Sequence, residues 1–201
     1  MNIKNIIFDF GGVLVDWNPK YVYENIFQEK LEMDFFLKNI CGPQWVIKQD
    51  AGKSISETTK ELQLKHPKYK EEIEMFYRDW EKMLGGEIIE NTRLIKILKS
   101  KYKIYGLSNW SAETFPIAFK KYAFFSDFDG IVLSGQEKMV KPDSRIFKLL
   151  LNRYSIRAEE SLFIDDNIKN VITAKEIGFL TILLTENINL KNKLIDLGLL
   201  C

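Results

Sequence analysis

Five short apolar runs punctuate the chain: Ile3 to Phe8, Lys103 to Leu107, Gly130 to Leu133, Ser161 to Ile164 and Leu180 to Leu184. Each is short and nearly continuous, the pattern of a strand buried on both faces. Helix-patterned stretches follow most of them: Ala112 to Tyr122, Ser144 to Tyr154, and Asn170 to Ile177, which Gly178 stops. Strand–helix alternation of this kind predicts an α/β fold, a Rossmann-like parallel sheet with helices on both faces. The alternation breaks once. From about Tyr21 to Glu90 the chain is charged, aromatic and helix-patterned, with no strand signal. Within it Ile73, Phe76, Tyr77, Trp80 and Met83 recur at helical spacing, and Gly85-Gly86 reads as a flexible joint before the α/β pattern resumes. The reading is an inserted α-helical cap domain over 17–89, with a core domain formed by 1–16 and 90–201. Trp45, Phe76 and Trp80 are assigned to the interior of that insertion.

Composition narrows the chemistry. A chain of 201 residues, 46% hydrophobic, can bury one good core and a small appended one. Twenty-nine basic against 28 acidic residues leave a net charge of +1, which gives no purchase for nucleic acid or an anionic membrane. The N-terminal apolar run is broken by charge and too short for a signal peptide or a membrane span. Cys41 and Cys201 make neither a disulfide framework nor a zinc site, so a cytoplasmic location is expected. The single histidine, His66, sits in the polar stretch Leu64-Lys65-His66-Pro67-Lys68 and reads as a solvated loop residue. Histidine-based nucleophilic machinery is thereby excluded, and acid–base and nucleophilic work falls to carboxylates. Nothing in the sequence encodes an oligomeric state.

Four segments carry the candidate chemistry, each at a strand end or a helix start. In Ile6-Ile7-Phe8-Asp9-Phe10-Gly11-Gly12 an acid ends an apolar strand, and two glycines let backbone N–H groups approach an anion. Tyr105-Gly106-Leu107-Ser108-Asn109 ends the second strand in a hydroxyl and an amide, both able to donate to a phosphate oxygen. Val140-Lys141-Pro142-Asp143 sets an ammonium just before a helix start, where it can neutralise a phosphoryl oxygen and a carboxylate together. Leu162-Phe163-Ile164-Asp165-Asp166-Asn167 ends a strand in adjacent carboxylates, which repel unless a cation or hydrogen bonds offset them. Magnesium, a hard oxygen-binding ion, suits such a pair.

In this order the four segments resemble the motifs of the haloacid dehalogenase-like (HAD) hydrolase superfamily, and the resemblance spans the chain. Asp9 corresponds to the nucleophile, Ser108 to the second motif, Lys141 to the third and Asp165-Asp166 to the fourth. The insertion resembles the helical cap of the phosphoglycolate phosphatase and β-phosphoglucomutase branch. The sequences around Asp9 and Asp165 look most like the glucose-1-phosphatase group.

The resemblance implies a magnesium-dependent phosphatase acting on a small phosphorylated molecule, a sugar phosphate such as glucose 1-phosphate. Asp9 would form an aspartyl-phosphate. Asp9, the Gly11 carbonyl and Asp166 would hold Mg2+, with Asp165 acting through a metal-bound water. Ser108, Lys141 and the N–H groups of Phe10 and Asn109 would hold the phosphoryl oxygens. Cap residues from Trp17 to Trp45 and from Lys48 to Lys53 are expected to face the substrate.

One position departs from the family pattern. Its phosphatases usually carry a second aspartate two residues after the nucleophile, which protonates the leaving oxygen; here that position is Gly11. Either the substrate has a good leaving group, or another acid substitutes, for which Asp16 is the candidate from sequence, or turnover is weak. Asp16 also reads as a plain hinge or turn residue. Two other readings stay open. A 2-haloacid dehalogenase shares the fold and the lone nucleophilic aspartate but needs no metal, and the Asp165-Asp166 pair speaks against it. A binding or regulatory module would keep the site and lose turnover.

Overall fold

The computed structural model describes residues 2–200. All five predicted strands form, as β1 (Asn5–Phe8), β4 (Lys103–Ser108), β5 (Gly130–Leu133), β6 (Ser161–Asp165) and β7 (Leu180–Leu183), numbered with the β2 and β3 described below. They make one parallel sheet in the order β5-β4-β1-β6-β7. Side chains alternate across it, as the strand period demands. Ile6, Phe8, Ile104, Leu162 and Ile164 join Leu94, Ile95, Leu98, Leu190 and Leu194 on one face. Ile7, Tyr105, Leu107 and Phe163 pack on the other against Ile146, Phe147, Leu150, Ala174 and Phe179. Each such side chain removed from water contributes about 1.5–3 kcal/mol. Two buried faces explain why these strands lack polar alternation in sequence.

Caps set the helix limits. Ser144–Tyr154 starts at Asp143, whose carboxylate accepts from the Arg145 amide at 2.9 Å. Ile168–Ile177 starts two residues earlier than its apolar pattern suggests, because Asn167 accepts from the Lys169 amide, and it ends at Gly178 with φ +108°. The helix expected from Ala112 forms only over Phe115–Lys121, with Pro116 in its first turn. Cys41 is a buried free thiol; Cys201 lies outside the described residues.

The insertion is helical, with one exception the sequence pattern hid. Its helices are Lys20–Tyr23, Lys30–Phe35 (continued by a π-helical turn to Ile40), Pro43–Asp50, Ile55–Lys65 and Lys70–Arg78, the last flanked by 3₁₀ turns at Pro67–Tyr69 and Trp80–Met83. Their interior is aromatic: Tyr23 lies 5.1 Å from Phe36, and Trp45 5.2 Å from Phe76, between ring centroids. Contrary to expectation, this stretch contains a strand. β3 (Leu84–Glu87) pairs antiparallel with β2 (Val15–Trp17), so the chain leaves and re-enters the core through a two-stranded ribbon. Gly86 pairs with Asp16 and Gly85 sits at the bulge beside it, so the two are part of the ribbon and not a free joint. A Cβ on Gly85 would collide with the Asp16 carboxylate, and Gly86 holds φ +128°. A pairing between residues some 70 positions apart leaves no local period to read.

Candidate active site

The carboxyl ends of β1, β4 and β6 meet at one point, where Asp9, Ser108 and Asp165 emerge. Lys141 reaches the same point from the loop after β5, and its side chain is buried. Its ammonium lies 3.0 Å from Asp9 Oδ2 and 2.6 Å from Asp165 Oδ2, and donates to the Leu107 carbonyl at 2.8 Å. Asn109 fixes the backbone of that lysine. Its amide donates to the Lys141 carbonyl at 2.9 Å and accepts from the Lys141 N–H at 2.8 Å. The Asn109 side chain therefore positions Lys141, a use beyond the backbone contact expected of this residue.

Asp165 is saturated. Besides Lys141 it accepts from the Asn167 amide at 2.8 Å and from Asn170 Nδ2 at 3.0 and 3.1 Å. Asp166 is exposed by contrast, and its carboxylate lies where Gly12, at φ +70°, has no Cβ to meet it. Gly106 performs the same service for the Phe10 ring, which packs among Trp110, Phe115, Phe125 and Phe128. The backbone N–H of Phe10 donates to Asp9 Oδ1 at 2.7 Å.

Electrostatics follow from this burial. Burial pushes Asp9 up to about 7, with Asp165 adding to the rise while Lys141 and the Ser108 hydroxyl oppose it. Burial also opposes charge on Lys141, but Asp9 and Asp165 more than offset it and hold the ammonium above its usual range. Asp166, though exposed as a residue, has its carboxyl raised by partial desolvation and then by Asp165. The excess of negative charge has room for a cation. One carboxylate oxygen from each of Asp9, Asp165 and Asp166 lies within 4.8 Å of the others. An all-oxygen, carboxylate-rich donor set fits Mg2+.

A cavity of about 190 Å³ opens above Asp9, between core and insertion. Asp9, Gly11, Ser108 and Asn109 form its floor, and Trp110, Ser111 and Thr114 continue it along the loop after β4. The insertion supplies Trp17, Val46, Asp50, Phe76, Tyr77 and Trp80. Trp17 and Asp50 fall within the stretches expected to face substrate. Phe76 and Trp80 are buried as predicted and also line the cavity. Tyr77 belonged to the apolar helical spacing read from sequence but not to the stretches expected to face substrate, Val46 had no sequence signal, and the Trp110–Thr114 side of the loop had none beyond following a marked strand. Asp16 is not among the lining residues: it sits on β2, beside Gly85, and accepts from the Tyr21 hydroxyl at 2.5 Å.

Comparison with known proteins agrees with this geometry. The chain is 27% identical to a sesquiterpene phosphatase of Aspergillus oryzae over 186 residues, covering 92% of this chain and 91% of that one. It is 29% identical to a D-ribitol-5-phosphate phosphatase of Bacteroides thetaiotaomicron, covering 89% and 90%. A HAD-family enzyme of the same bacterium, solved with magnesium and inorganic phosphate, superposes with a TM-score of 0.73 at 25% identity, over 95% of this chain and 98% of that one. Residues 6–184 match the haloacid dehalogenase-like hydrolase family, and with Asp9, Lys141 and the Asp165-Asp166 pair gathered at one sheet edge, the chain belongs to that family.

Proposed function

We propose that this protein is a magnesium-dependent phosphomonoester hydrolase that works through an aspartyl-phosphate on Asp9. The observation that carries the reading is the buried Asp9–Lys141–Asp165 array with Asp166 beside it. Asp9 Oδ attacks phosphorus, the ester P–O bond breaks, and water later cleaves the acyl phosphate, returning Asp9 and releasing phosphate. Lys141 and Ser108, with the backbone amides of Phe10 and Asn109, stabilise charge on the transferring oxygens. Asp165 holds Lys141 in line. Asp9, the Gly11 carbonyl and Asp166 would hold the Mg2+, which supplies charge neutralisation between an anionic nucleophile and an anionic ester. The insertion, 17–89, acts as the cap that excludes water. A cytoplasmic location suits the buried, unpaired Cys41.

The cap walls argue for an apolar leaving group over the sugar expected from sequence. One relative is named for a sesquiterpene phosphate and another for a polyol phosphate. The cap walls are Trp17, Val46, Phe76, Tyr77 and Trp80, joined by Trp110 from the core loop, and they reward apolar surface and offer few partners for several hydroxyls. Phosphate release from a prenyl monophosphate, ribitol 5-phosphate and glucose 1-phosphate, with Mg2+ and then with EDTA, tests both levels. Mg2+-dependent release fastest from the prenyl ester is expected. Preference for glucose 1-phosphate would return the assignment to sugars. Asp9→Asn should abolish turnover in every case, and more than a few per cent of residual activity would remove Asp9 as the nucleophile.

A further inference from the structure

The missing acid at Gly11 leaves the core side of the cavity, among the described residues, with no carboxyl group besides Asp9 to protonate the leaving oxygen. A Cβ placed on Gly11 meets nothing within 4 Å, so the space that an acid there would fill is open. Among the described residues one carboxyl group lines this cavity apart from Asp9, and it comes from the cap: Asp50, the last residue of the helix Pro43–Asp50. Resting on the proposed aspartyl-phosphate chemistry, we propose that Asp50 is the general acid–base of this enzyme, reaching from the cap to the leaving oxygen in place of the residue absent at Gly11.

Position and surroundings favour that role. Asp50 is half-buried, with its open side on the cavity. Among the described residues no cation pairs with it; the only polar group that favours its charged form is the backbone of Ser111. Standing at a helix C-terminus, it faces the negative end of the helix dipole, which disfavours a carboxylate. Burial pushes it up to about 7, so a proton is available near neutrality.

The turn behind it is pinned to the core. Gly52 packs against the Gly135 carbonyl at φ +85°, and the Ile55 amide donates to Glu113 Oε1 at 2.8 Å. These contacts hold Asp50 at the cavity in a fixed place.

The steps balance. As Asp9 Oδ bonds to phosphorus and the P–O bond to the leaving group breaks, the Asp50 carboxyl proton passes to the leaving oxygen, giving the alcohol and an Asp50 carboxylate. That carboxylate then takes a proton from the water that attacks the aspartyl-phosphate. Phosphate leaves, Asp9 is regenerated and Asp50 is again protonated.

The test compares two esters of similar shape, 2-phenylethyl phosphate, whose alkoxide needs a proton, and 4-nitrophenyl phosphate, whose phenolate does not. In Asp50→Asn the first-turnover rate on the alkyl ester should fall about 100- to 10,000-fold, while the aryl ester keeps a burst of nitrophenol near the wild-type rate. The burst is followed by slow turnover and accumulated phosphoenzyme, since the base for the second step is lost. Gly11→Asp in the Asp50→Asn background should recover alkyl-ester cleavage. Equal losses on both esters, no loss on either, or a double variant no better than the single one would overturn the proposal. Should Asp50→Asn not fold, the wild type decides: first-turnover rates on the two esters lie close together if an acid operates, and a steep dependence on the leaving group overturns it. Failure of the Asp9 reading shows separately, as turnover by Asp9→Asn.

Discussion

The two walls of the cavity are built on opposite principles. On the core side every charged group but Asp166 is cross-braced: Lys141 touches two carboxylates and a carbonyl, and Asp165 has a partner for each oxygen. On the cap side the surface is aromatic and aliphatic, with one carboxyl group that, among the described residues, no cation pairs and only the Ser111 backbone meets. A transferring phosphoryl group is the same whatever alcohol carries it, so its cradle can be rigid. The alcohol varies between enzymes, and a wall of side chains on helices outside the sheet can vary with it. A lone carboxyl in an apolar wall is costly to leave charged, and that cost keeps a proton ready.

The largest effect should come from removing the core brace. Lys141→Met leaves Asp9 and Asp165 buried side by side without a cation. We expect a loss of about 3–5 kcal/mol in stability by denaturant unfolding, and a fall in kcat of about 100- to 1,000-fold. A fully stable, active variant would show that the brace is dispensable.

Opening the cap wall should act on choice of substrate. Trp80→Ala removes an aromatic face that packs 5.7 Å from Trp110 and lines the cavity. It should cut kcat/KM for a prenyl phosphate about tenfold or more relative to glycerol phosphate, the loss expected for about 1.5–3 kcal/mol of apolar contact. Reading the ratio of the two esters cancels any general loss of folded protein. An unchanged ratio would detach the aromatic wall from specificity.

The smallest effect concerns stability. The carboxyl of Asp50 is raised from 3.8 to about 7 in the folded state, so its favourable contribution is present below the unfolded value and is lost as pH rises through about 7. Tyr77 and, on the core side, Glu113 and Lys138, whose side chain packs at Gly52, are titratable neighbours on the elements packed here. Asp50→Asn has no charge to bury. Its melting temperature should therefore exceed that of the wild type by about 2–4 °C at pH 8, a shift of about 1 kcal/mol after screening by the cavity's own solvent, with the gap closing by pH 4. A gap that grows toward acid would show that Asp50 is held charged.

The sequence by itself determined the sheet and its chemistry. Strands buried on both faces must be continuous apolar runs, and the residues ending them must gather at one edge, so Asp9, Ser108 and Asp165-Asp166 were legible in one dimension, and Lys141 from its place just before a helix start. Only the tertiary structure decided the other wall. The ribbon of β2 and β3 depends on a pairing across the whole insertion, and the glycines that permit it look locally like a hinge. Asp16 follows the first strand closely yet is drawn away to Tyr21, whereas Asp50, 41 positions after Asp9, is folded over it. Proximity in a cavity is set by how helices pack, and helix packing leaves apolar positions in the sequence but no record of which face looks at which.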